Sequence, residues 1–146
     1  MLKSALTKLC SLDKKIVTNL DKLQFSITVI CRVWLAKIFF FSGLTKLSNW
    51  DQTLILFEYE YAVPLLPVNI AAALATTAEI TLPIFLILGL LTRYCAFALL
   101  IMISVIQFAV IPHDQHLYWM LMSSFLIFFG PGKLSLDHLI NIKYRH

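Results

Sequence analysis

The sequence predicts an all-α polytopic membrane protein: an antiparallel bundle of four transmembrane helices with an amphipathic helix at its N-terminus. Composition is the first observation behind this, since 60% of the 146 residues are hydrophobic and 14% charged, against about 25% charged in soluble domains. The mean hydropathy of +0.82 agrees. The second observation is length. At roughly 20 residues per span, the chain has room for about four spans and no separate soluble domain. The third is the spacing of polar punctuation, which divides the chain into residues 1–24, a membrane domain at 25–138 and a cytoplasmic tail at 139–146.

Residues 1–24 place Leu2, Leu6, Leu9, Ile16, Leu20 and Leu23 at three- and four-residue steps with lysines between them. This is the pattern of a basic amphipathic helix lying on an anionic membrane surface. Because Lys3, Lys8, Lys14, Lys15 and Lys22 interrupt the leucines, the segment lacks the apolar core of a cleavable signal peptide and is expected to be retained. The first span is expected from about Phe25 to Leu47. Beyond it, Asp51, Glu58 and Glu60 mix with Trp50, Phe57, Tyr59 and Tyr61, which suits a short helix in the interfacial aromatic belt. Pro64 and Pro67 then break the chain.

The second span is expected from about Asn69 to Leu91, and the Thr92–Arg93 turn is short enough that the third, about Tyr94 to Ile111, returns antiparallel. A polar turn, Pro112 to His116, leads into the fourth, which Gly130-Pro131-Gly132 stops near Phe129. Lys and Arg occupy the N-terminus, the Arg93 turn and the tail, and are missing from the other two loops. The positive-inside rule therefore places both termini in the cytoplasm. With the basic residues serving as topological signals, the net charge of +4 does not imply a nucleic-acid partner; the expected partner is the lipid bilayer.

Ionisable groups inside a bilayer need a partner, a wet cavity or a route to the interface. Arg32, Lys37, Lys46, Glu79 and Gln107 are the candidates for ligand binding or proton handling. Arg32 and Lys46 lie near opposite ends of the first span and can reach headgroups. Lys37 and Glu79 lie near the midpoints of antiparallel spans, so depth predicts a Lys37–Glu79 ion pair, with Arg32 as the competing cation. Such a pair either fixes helix register or takes part in ligand and proton chemistry, and spacing does not separate the two. Gln107 reads first as an interhelical hydrogen-bonding group.

Other chemistries lack their signatures. The three cysteines, Cys10, Cys31 and Cys95, include no C-x-x-C pair, and His113, Asp114 and His116 read as a solvated turn ahead of a metal site. Neither a glycine-rich nucleotide loop nor a pair of intramembrane histidines for haem is present in the sequence.

Placed on these spans, several short motifs resemble the DoxX family. The first span contains Arg32, an apolar run and Ser42-Gly43-Leu44-Thr45-Lys46. The match continues through Pro64 and Pro67, Glu79 and Gly89-Leu90-Leu91-Thr92-Arg93, and closes with Gly130-Pro131-Gly132 through Ser135 and Asp137. It covers about residues 26–138, with two departures: Lys37 stands where the family is usually apolar, and Pro83 where it often has a small residue. The resemblance implies a four-helix protein of the bacterial inner membrane. Relatives include a subunit of thiosulfate:quinone oxidoreductase and proteins linked to sulfur metabolism and oxidative stress. The function it implies is a redox-associated membrane subunit that binds a quinone or lipid-like molecule and receives electrons from a soluble or membrane oxidoreductase partner. Two alternatives stand beside it, a non-enzymatic scaffold for partner proteins and a small transporter, the latter requiring a homo-oligomer.

Overall fold

A computed structural model describes the backbone of residues 2–61, 66–110 and 112–143; the side chains of residues 2–15, 19, 21, 109 and 110 lie outside the description. The described residues are helical with short connections and no strand. Helix α1 (Leu2–Ser48) is a single 47-residue helix. No glycine or proline occurs before Gly43, so nothing breaks the backbone at residue 24, where the basic segment meets the apolar one. The surface placement expected for residues 1–24 falls largely on side chains outside the described residues.

Helix α2 (Trp50–Ile55) runs into a π-helical segment, Leu56–Tyr61, so the acidic, aromatic stretch after the first apolar segment is helical, as its pattern predicts. Pro64 lies outside the described residues. Helix α3 (Val68–Leu88) begins directly after Pro67 and carries Pro83 in its interior. Lacking an N–H, Pro83 cannot donate to the carbonyl four residues earlier, that of Glu79. Helix α4 (Thr92–Val105) continues as a π-helical segment, Ile106–Val110. Helix α5 (Asp114–Phe129) follows, and α6 (Leu136–Lys143) crosses the expected tail boundary at residue 138.

The long helices close a ring in which α1 packs on α3 and α5, and α4 packs on the same two. Leu35, Phe39, Leu86, Leu99, Ile103 and Leu126 fill its centre. Small residues, including Ala36, Ala72 and Ala96, are fully buried, as expected where helices approach closely without a hydrophobic driving force between them. Outside the ring, large apolar side chains such as Trp34, Phe97, Phe108, Leu121 and Phe128 are exposed, a surface suited to lipid. Two segments, Ile16–Ser48 and Val68–Leu88, are long and apolar enough to cross a membrane, and Thr92–Phe108 is a shorter apolar helix.

One side chain ties the α3–α4 and α5–α6 connections together. Arg32 is 4% exposed and donates to the carbonyls of Leu86 (2.8 Å) and Ile87 (2.6 Å) in the last turn of α3, and to those of Pro131 (2.9 Å) and Leu134 (2.7 Å) in the α5–α6 connection. The first two lie in the last turn of α3, where carbonyls run out of intrahelical donors; that of Leu86 also accepts from the backbone N–H of Gly89 at 3.2 Å. Asp137, in the first turn of α6, accepts from the backbone N–H groups of Leu91 (2.8 Å) and Thr92 (3.0 Å), capping α4. Between them sits Gly89 at φ 67°, where an added Cβ would stand 2.6 Å from the Arg32 guanidinium and 2.5 Å from the Ser135 Cβ. Only glycine combines that backbone with that space.

Arg32→Met removes four hydrogen bonds at once and is expected to destabilise the bundle by about 3 kcal/mol or more, because each charge-assisted hydrogen bond contributes roughly 1.5–3 kcal/mol. Arg32→Lys should recover less than half of this, since an ammonium lacks the planar fork. Thermal unfolding in a mild detergent reads both; wild-type melting of Arg32→Met would contradict the role assigned to the guanidinium.

Candidate functional site

Glu79 is 3% exposed, near the middle of α3, and it pairs with Lys46. The Lys46 ammonium donates to Oε1 at 2.8 Å and Oε2 at 2.7 Å, and its third hydrogen bond goes to Ser42 Oγ at 2.9 Å. All three ammonium donors are thereby used. The expected Lys37–Glu79 pair does not form, nor does its Arg32 alternative. Lys37 is exposed on the opposite side of α1, while Arg32 is taken up by carbonyls.

Helix geometry explains the correction. Nine residues separate Lys37 from Lys46 in numbering, which at about 100° each is half a turn. Side chains also lean toward the N-terminus of their own helix. On antiparallel α1 and α3, Lys46 and Glu79 lean toward each other, whereas Lys37 leans away. A depth comparison of Cα positions leaves that lean out.

Gly43 sets the approach. A Cβ there would meet Ile80 Cγ1 at 2.7 Å, Glu79 Cβ at 3.1 Å and the Glu79 backbone carbon at 3.2 Å, so α1 passes α3 with room for no side chain at this crossing. One turn further on, Lys46 is brought within reach of the carboxylate. The carbonyl of Lys46 accepts from Thr53 Oγ1 at 2.9 Å, which anchors α2 over the end of α1.

Beside the pair lies a cavity of about 240 Å³ between the π-helical segment Leu56–Tyr61, α3 and α4. Phe57, Tyr61, Ala71, Ala75 and Met102 line it, with Glu79. Exposed Leu74, Ile101 and Val105 form its mouth. An apolar cavity of roughly 150 Å³ can hold a benzene ring, so this one has room for a substituted ring. Phe57 and Tyr61 meet edge to face at 4.7 Å, which fixes one wall. Sequence reading missed the cavity and its aromatic wall; the only available signal was the aromatic density of residues 57–61.

Gln107 does not join this site. Its Oε1 accepts from the backbone N–H of His113 and contacts His116 Nδ1, both at 2.9 Å, so it braces the turn between α4 and α5. Among the described residues, no group of three or more His, Cys, Asp and Glu side chains is arranged to hold a metal.

The sequence matches the family model described as DoxX over residues 27–112, a shorter stretch than the 26–138 spanned by the motifs. An uncharacterized protein of Haemophilus influenzae is 34% identical over 128 residues, which cover 80% of this chain and 84% of the relative. No solved structure matches.

Glu79→Gln and Lys46→Met each leave one buried charge without its partner and are expected to destabilise by roughly 3–5 kcal/mol. The double variant should recover much of that loss. Lys37→Met should lie within about 0.5 kcal/mol of the parent in detergent, where no partner is present. A Lys37→Met variant as unstable as Glu79→Gln, measured by thermal unfolding, would contradict the pairing.

Proposed function

The chain belongs to the DoxX family, and on that premise we propose that it is a four-span subunit of the bacterial inner membrane, with cytoplasmic termini, that holds a quinone or similar lipid-like ring beside Glu79. The observation that carries this reading is an apolar cavity whose lining includes one ionisable carboxylate with a cation bound to it. A ring carbonyl needs a hydrogen-bond donor and its reduced form needs an acceptor; of the lining residues the Tyr61 hydroxyl can donate and the Glu79 carboxylate can accept, in a site otherwise apolar. The mouth between Leu74, Ile101 and Val105 faces the side where a prenyl tail would lie among lipid chains.

Spans one to four correspond in this reading to the apolar part of α1, to α3, to α4 with its π-helical extension, and to α5. The distribution of Lys and Arg supports the orientation. The redox association follows the family resemblance, and electrons come from a partner oxidoreductase. The role of this chain's own residues is to seat the ring, exclude water and exchange protons at the Glu79 carboxylate.

Gently purified protein, extracted with organic solvent and analysed by mass spectrometry, is expected to yield roughly one quinone-type molecule per chain, enriched over the bulk membrane. Ala75→Phe places a ring in the cavity and should lower that content roughly tenfold with little change in melting temperature. Quinone content no higher than in the surrounding lipid, or unchanged in Ala75→Phe, would contradict the proposal.

A further inference from the structure

The outward face of α1 carries Ile30, Val33, Trp34, Lys37, Phe41 and Leu44, all exposed. At about 100° per residue these six positions fall within an arc of roughly 100°, opposite the face that holds Arg32, Phe39, Gly43 and Lys46. The result is one continuous apolar ridge with a single cation in it. The ion pair among the described residues is Lys46–Glu79, and Lys37 makes no polar contact with the bundle. A ridge meant only for hydrocarbon gains nothing from an ammonium, whereas a facing carboxylate would balance it.

This chain does not supply that carboxylate. Of its eight acidic residues, Glu79 is bound to Lys46 and Asp137 caps α4 at the other end of the bundle. Asp51, Glu58 and Glu60 follow the far end of α1, and Asp114 opens α5. Asp13 and Asp21 precede Lys37 on the same helix by about 36 and 24 Å of axial rise. A second copy in the same membrane orientation, related by an axis along the membrane normal, keeps every residue at its own depth. It would set Lys37 against Lys37, a repulsive contact.

We propose that the outward ridge of α1 docks a spanning helix of a different membrane protein, and that an aspartate or glutamate of that helix, at the depth of Lys37, pairs with its ammonium. Trp34 and Phe41 flank the cation by about one turn on either side and supply the large aromatic contacts typical of an interface centre. The proposal rests on the membrane placement of α1 and is independent of what occupies the Glu79 cavity.

Photoreactive phenylalanine analogues introduced at Trp34 and at Phe41 in intact cells, followed by peptide mapping, test it. The expected product joins α1 to a spanning segment of another protein with an Asp or Glu within about one turn of the linked residue. Lys37→Met should lower its yield by roughly thirtyfold or more, and Lys37→Arg should retain it. Lys37→Glu should restore it only together with a lysine in place of the partner's carboxylate. Ligand content measured on the same samples reports separately on the cavity. Crosslinks to lipid alone, to a second copy of this chain or to a segment without a carboxylate would overturn the proposal, as would a yield indifferent to Lys37→Met.

Discussion

An ionised side chain removed from water must find either an opposite charge or a shell of aligned dipoles, and the arrangement of this bundle follows from meeting that requirement twice. Arg32 is satisfied by dipoles: four backbone carbonyls from two parts of the chain surround one guanidinium. Glu79 is satisfied by charge, with both carboxylate oxygens bound to Lys46. The two solutions have different consequences. A guanidinium wrapped in main chain is committed to holding the ends of α3 and the α5–α6 connection together. A carboxylate–ammonium pair at a cavity wall keeps groups that can bind a ligand and exchange protons.

The motifs that resemble the family separate along the same line. Arg32, Gly89, Ser135 and Asp137 meet at the end of the bundle where α3 turns into α4. Gly89 leaves room for the guanidinium, Ser135 Oγ accepts from the backbone N–H of His138, and Asp137 caps α4. Gly43, Lys46 and Glu79 meet about halfway along α3. Residues far apart in sequence thus form two compact groups, the first concerned with closure of the bundle and the second with the site. Lys37 belongs to neither.

Much of the helical plan was legible because apolar segments and their proline, glycine and basic punctuation are local signals. The apolar segments expected from the sequence are helical, as the apolar part of α1, as α3, as α4 with its extension and as α5. Glu79 was legible as the central polar residue for the same reason, since a carboxylate in an apolar run stands out. Its partner was not. The face of Lys46 was readable from helical angle, but depth pointed to Lys37, and the lean of side chains along antiparallel helices reversed the answer. The partners of Arg32 were invisible in principle, because its acceptors are carbonyls that every residue carries, selected only by the tertiary fold. The cavity was hidden likewise, being space between α3, α4 and the π-helical segment Leu56–Tyr61.

The most direct test of the Glu79–Lys46 pairing is a distance measurement in lipid bilayers by solid-state nuclear magnetic resonance, between isotope-labelled lysine side-chain nitrogen and glutamate carboxyl carbon. A close contact should appear for Glu79, vanish in Lys46→Met and persist in Lys37→Met. A contact that survives Lys46→Met and vanishes in Lys37→Met would contradict the pairing and, with it, the site built upon it.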